Sequence, residues 1–103
     1  MNIAKMLKEA QRMQERMAEA QAELSAKTIE ATSGGGKVVV KATGSGDITS
    51  IKINPQVVDP NDVEMLEDLV LSAVRQAVED AKKMAGSEMG KLTGGMKIPG
   101  LSM

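Results

Sequence analysis

The sequence contains no phenylalanine, tyrosine, tryptophan, cysteine or histidine, and only three prolines. Without aromatic rings, the large side chains that dominate most cores and binding hot spots are missing. Met, Val, Leu, Ile and Ala must fill the interior instead. In one domain of 103 residues such a core is thin, so part of the burial is expected to come from a second copy of the chain. The lack of cysteine removes disulfides and thiol chemistry, and the lack of histidine removes ordinary zinc sites and any imidazole acid or base. Most enzyme classes go with them; carboxylates, lysines and serines remain, so composition alone does not exclude an enzyme, but the expectation is a non-enzyme that needs no cofactor. No apolar run is long enough to span a bilayer, and Lys5, Lys8, Glu9 and Arg12 stand where a signal peptide would need an apolar core. A cytoplasmic protein with no membrane partner is expected. The net charge is -1, so attraction to a polyanion has to come from a local patch rather than an overall field.

What the sequence does have is periodicity. Ile3, Met6, Ala10, Met13, Met17, Ala20 and Leu24 recur at alternating intervals of three and four, the seam of a helix that lies along another helix. Asn2 can cap it. At about 22 residues it would be roughly 33 Å long, more than so small a domain needs to cover its own core, and part of it is expected to project. From Lys27 the period falls to two. Thr28 to Thr32, Lys37 to Thr43 and Ile48 to Ile53 read as three short strands, with Val38, Val40, Ala42, Ile51 and Ile53 on inner faces. Ser33-Gly34-Gly35-Gly36 and Gly44-Ser45-Gly46-Asp47 supply the turns of an antiparallel meander. Its two open edges are a second argument for pairing with another chain.

Asp59-Pro60-Asn61-Asp62 reads as a helix start, with Asp59 as cap and Pro60 in the first helical position. The second helix is expected over about Pro60 to Ala85, apolar on more than one stripe, acidic at its start and basic at Lys82 and Lys83. The domain is therefore placed at residues 1–85. A glycine-rich tail, 86–103, without a periodic apolar face is expected to be flexible. Two motifs lead nowhere. Gly34-Gly35-Gly36-Lys37 runs into a strand rather than a helix and cannot act as a phosphate loop. Asp62, Glu64, Glu67 and Asp68 lack a calcium-loop pattern and read as a solvated, dipole-favoured face.

One surface stands out. Lys5, Lys8, Arg12 and Arg16 fall within about 80° of one another around the first helix. A solvated face with salt bridges from Arg12 and Arg16 to Glu15 and Glu19 is one reading. Topology supports another: two helices packed antiparallel along their seams would bring these four residues toward Lys82 and Lys83, with Arg75 nearer the middle. The result would be a basic tip above an acidic base. Two such tips in a dimer would suit the phosphates of a duplex, whereas the lack of aromatics argues against single-strand binding by base stacking.

Several stretches, in order, carry a resemblance to a known family: Met6-Leu7-Lys8-Glu9-Ala10-Gln11-Arg12-Met13-Gln14, the Ser33 to Gly36 turn before a valine-rich strand, Ile51-Lys52-Ile53-Asn54-Pro55, Val58-Asp59-Pro60, Glu64-Met65-Leu66-Glu67-Asp68-Leu69-Val70, and Met89-Gly90-Lys91-Leu92-Thr93-Gly94-Gly95. Over nearly its whole length the chain resembles the YbaB/EbfC family of bacterial nucleoid-associated proteins. The resemblance implies an α+β fold of order α-β-β-β-α, a tweezers-like homodimer, a nucleoid location, and DNA binding through the helical protrusions. It also implies a setting close to recombination-mediator and clamp-loader proteins. The Thr43-Gly44-Ser45-Gly46-Asp47 turn departs from the family's usual valine-asparagine-glycine, and it is expected to lie away from the helices. The expectation is a homodimer that binds double-stranded DNA mostly without sequence preference through Lys5, Lys8, Arg12, Arg16, Arg75, Lys82 and Lys83. The rival is an adaptor for replication or recombination proteins whose DNA affinity is incidental.

Overall fold

The computed structural model of the protein describes residues 2–92. Helix α1 spans Ile3–Ala26, and strands β1, β2 and β3 span Thr28–Ser33, Val38–Thr43 and Ile48–Ile53. A single 3-10 turn, Pro55–Val57, leads to helix α2, Val63–Leu92. The strands form one antiparallel sheet in the order β1-β2-β3, so the α-β-β-β-α meander is present as expected. The expected tail beyond Leu92 lies outside the described residues.

Local chemistry sets the boundaries. Asn2 caps α1, its Oδ1 accepting from the Lys5 N–H at 3.3 Å. The helix stops where Lys27 turns extended and its N–H donates back to the carbonyls of Glu23 and Leu24. Between β1 and β2, Gly34, Gly35 and Gly36 take φ of 60°, 67° and 89°, three consecutive left-handed residues that only glycine adopts at little cost.

The core lies between the sheet and α2. Val38, Val40 and Ala42 of β2 are buried and pair with residues of β1 that face the same way, Ala31 opposite Val40 and Ile29 opposite Ala42. Against them α2 sets Ala73, Ala77 and Ala81, one small residue per turn, flanked by Leu66, Leu69, Val70 and Val74. Alanines on this stripe let the helix axis approach the sheet closely. Ser33 Oγ fixes the register at one end by donating to the Leu69 carbonyl at 2.6 Å.

α2 covers β1 and β2 rather than β3. Ile51 and Ile53 pair with Val40 and Val38 on the inner face as expected, yet they are 44% and 38% exposed. A register shift on β2 between Lys41 and Ala42 sets Lys41 opposite Ser50 and Ala42 opposite Ile48. Thr49 becomes the extra residue of a bulge, and Ile48 joins the same uncovered face.

Three expectations are corrected. The cap of α2 is Asp62, whose Oδ1 accepts from Met65 N–H at 3.2 Å, not Asp59. Asp59 instead closes a turn through Asn61 and Asp62, leaving Pro60 outside the helix. The helix does not end at Ala85 but runs through Gly86 and Gly90 to Leu92. Each glycine costs about 1 kcal/mol of helix propensity, and the contacts of Met84, Ala85 and Glu88 with the rest of the fold offset it. Finally, part of α1 projects as expected, but the packing of the two helices along their seams is confined to the last turns of α1. Only Ala20 and Leu24 are buried, while Ile3 and Met6 are 71% and 52% exposed. The molecule measures 70 × 29 × 16 Å, and α2 accounts for about 45 Å of such a length. The front of α1 is an arm that stands clear of the body.

Candidate nucleic-acid interface

α1 carries Lys5, Lys8, Arg12 and Arg16, all exposed. The helical period places them on one side of the arm, away from the apolar seam. Arg12 and Arg16 flank a shallow hollow with Glu9 and Met13. Among the described residues none of these four cations forms an ion pair, nor do Arg75, Lys82 or Lys83. The salt bridges of Arg12 and Arg16 with Glu15 and Glu19 that the solvated-face reading required are not made, so the stripe's charge stays available. No acidic residue lies in the first turn of α1 to offset Lys5 and Lys8 against the helix dipole.

The remaining cations are elsewhere. Leu24 of α1 and Met84 of α2 both approach Gly44, so Lys82 and Lys83 lie at the root of the arm. From Leu24 the helix rises about 12 Å to Arg16 and about 29 Å to Lys5. The expected meeting of Lys5 and Lys8 with Lys82 and Lys83 in a single tip does not occur within one protomer, because α1 meets α2 only through its last turns. Lys82 borders an apolar hollow with Gly44, Ser45, Gly46, Val78, Ala81 and Ala85. Arg75 lies with Asp68, Leu71, Ser72, Gln76 and Glu79 along the outer side of α2. Among the described residues no cluster of acidic side chains could hold a metal ion, and no helix is long and apolar enough to cross a membrane.

Sequence reasoning missed the root itself. Glu88 is only 8% exposed and accepts from Lys27 Nζ at 2.5 Å, with Lys91 Nζ at 3.7 Å from the same oxygen. The hydrogen bond from Lys27 holds the Glu88 carboxyl below its ordinary value, and Lys91 acts in the same direction. In return, the bond to Glu88 raises Lys27, with Glu23 adding to it. Gly44 N–H donates to the Lys27 carbonyl at 3.0 Å. A Cβ on Gly44 would lie 2.7 Å from the Leu24 carbonyl oxygen and 3.1 Å from Met84 sulfur. The seam of Ala77, Ala81 and Met84 does continue at intervals of four to Glu88 and Leu92, but Gly86, Gly90 and a glutamate in a seam position hide it.

The family model described as the YbaB/EbfC DNA-binding family matches residues 1–96. A nucleoid-associated protein of Thermoanaerobacter pseudethanolicus is 57% identical over 100 residues, a span of 97% of this chain and 90% of that protein. A nucleoid-associated protein of Pelotomaculum thermopropionicum is 51% identical over 100 residues, covering 97% and 95%. Among solved structures, an uncharacterized protein of Helicobacter pylori superimposes with a TM-score of 0.83 over 91% of this chain and 99% of its own, at 17% identity. That last likeness is one of fold alone.

Proposed function

Because the chain belongs to the YbaB/EbfC DNA-binding family, we propose that it binds double-stranded DNA as a homodimer, largely without sequence preference, in nucleoid organisation, gene regulation or DNA repair. The observation that carries this reading is the unpaired stripe Lys5, Lys8, Arg12 and Arg16 on an arm that stands clear of the body. Unneutralised cations on a projecting rod suit phosphates, which reward charge and reach and carry no sequence information. Lys82 and Lys83 extend the contact at the arm's root, and Arg75 adds to it along α2. A second copy covers the uncovered face of Ile48, Ile51 and Ile53 and doubles the arms.

Replacing Lys5 and Lys8 by Glu tests it. The folded state should be unharmed, or more stable by a few tenths of a kcal/mol, because acidic residues suit the positive end of a helix. DNA affinity should fall alike on every sequence, and the slope of log K against log salt should flatten by about one unit for each phosphate no longer neutralised. An intact variant with unchanged affinity across the salt series would refute the reading.

One observation favours a second reading. The seam of α1 exposes Ile3, Met6 and Met17, with Met13 half-buried, and such a stripe suits a helix of a protein partner, for example a recombination-mediator or clamp-loader protein. Capture of one protein partner that ignores salt, beside weak DNA affinity, would favour this adaptor role.

A further inference from the structure

The arm joins the body through a short root, and that root is built closely. Leu24 is buried at 1% exposure, and Ala20 one turn before it is buried too. Before Ala20 the helix has no buried residue, so these two residues and the junction after them decide where the arm points. Besides the bond from the Ser25 hydroxyl to the Ser45 hydroxyl at 3.4 Å, three constraints meet at the junction. The Lys27 carbonyl is held by Gly44 N–H, the Leu24 backbone sits where any side chain at position 44 would have to be, and the Lys27 ammonium is held by Glu88 of α2. The first two bind α1 to the β2–β3 turn. Only the third ties it by charge to the end of α2, and the Glu88 side chain is only 10% exposed.

We infer that Glu88 is a positioning residue: by holding Lys27 it fixes the direction in which the α1 arm, with its basic stripe, leaves the body. Lys91, one turn on from Glu88, adds a second and weaker attraction at 3.7 Å to the same carboxylate oxygen. The inference rests on the DNA-binding reading, and it gives the last turns of α2 a function in that binding although Glu88 itself repels phosphate. A rod hinged at Ala20 swings its tip widely for a small change of angle, so a loosened root leaves only a fraction of arms directed at the duplex. Apparent affinity falls by that fraction.

The chain has no cysteine, so spin labels can be placed singly on Gln11→Cys in the arm and Glu30→Cys on the sheet, with labelled chains diluted into unlabelled protein. Pulsed electron paramagnetic resonance then reads the arm-to-sheet distance within one protomer. A narrow distribution is expected for the otherwise unaltered protein and for Lys27→Arg, which keeps the donor. Glu88→Gln, which keeps an acceptor but loses the charge, and Lys27→Met should each broaden it, and the double variant should broaden it no further than Lys27→Met alone, because both singles remove the same ion pair. On duplex DNA, Glu88→Gln should weaken binding about three- to tenfold, as the competent fraction falls. Its salt slope should stay unchanged, since every phosphate contact is retained.

Relief of charge repulsion would instead make Glu88→Gln bind more tightly, and that result overturns the inference. So does an unchanged distance distribution in both single variants. If the unaltered protein does not bind duplex DNA, the reading beneath the inference fails, while the distance widths still decide whether the brace exists.

Discussion

Glu88 and Lys27 show how a single pair is set by its surroundings and how that setting governs acid stability. Both shifts favour the charged forms in the folded protein. The contribution of Glu88 is present above its ordinary value of 4.5 and is lost as the pH falls through its lowered folded value. That of Lys27 is present below 10.5 and is lost only as the pH rises through its raised folded value. The difference in melting temperature between the wild type and Glu88→Gln should therefore be constant through neutral pH and shrink below about 4.5; melts at stepped acid pH check it. Gly44 makes a steric counterpart. A methyl there meets a backbone oxygen at 2.7 Å, and a backbone atom cannot swing aside as a side chain does. Gly44→Ala should cost about 1–3 kcal/mol, as overpacking does, measured by denaturant unfolding.

Among the elements, α2 departs most from its sequence pattern. Its glycines mark a stop, and a local reading ends the helix at Ala85. The chain continues because residues beyond Ala85 are anchored to other elements, Glu88 above all. Truncation after Ala85 removes that anchor. It should raise amide exchange in the last turns of α1 more than in β2, whose core Val38, Val40 and Ala42 is covered by earlier turns of α2. Equal protection in the full-length and truncated chains, read by mass spectrometry, would mean that the end of α2 does not brace the arm. The sheet illustrates the reverse case. Two-residue alternation and glycine turns are short-range signals, and β3 runs Ile48–Ile53 as the pattern predicts. The bulge at Thr49 was invisible because it depends on the pairing with β2.

At the scale of the molecule, the uncovered apolar surface dominates. Ile48, Ile51 and Ile53 line an open sheet edge, and Val63, Met65 and Leu71 are exposed on α2. A thin core without aromatics has little stability to spare, and the proposed second copy would take this face out of water. The melting temperature should rise with protein concentration, and sedimentation at sub-micromolar concentration should still give a dimer. Ile51→Lys should lower the dimer's stability without altering the arm. A stable folded monomer at those concentrations would contradict the dimer.

Much was settled by the order of residues alone. The seam of α1, the three strands and their turns arise from contacts a few residues apart, which the chemistry of each segment decides for itself. The basic character of α1 was legible for the same reason, since Lys5, Lys8, Arg12 and Arg16 share one helix and its period fixes their relative directions. Their separation from Lys82 and Lys83 depended on how far α1 overlaps α2, and that overlap is decided by where Leu24, Gly44 and Met84 meet. The arm's free length, the bareness of β3 and the burial of Glu88 are likewise consequences of packing between segments far apart in the chain, and no local pattern encodes such distances.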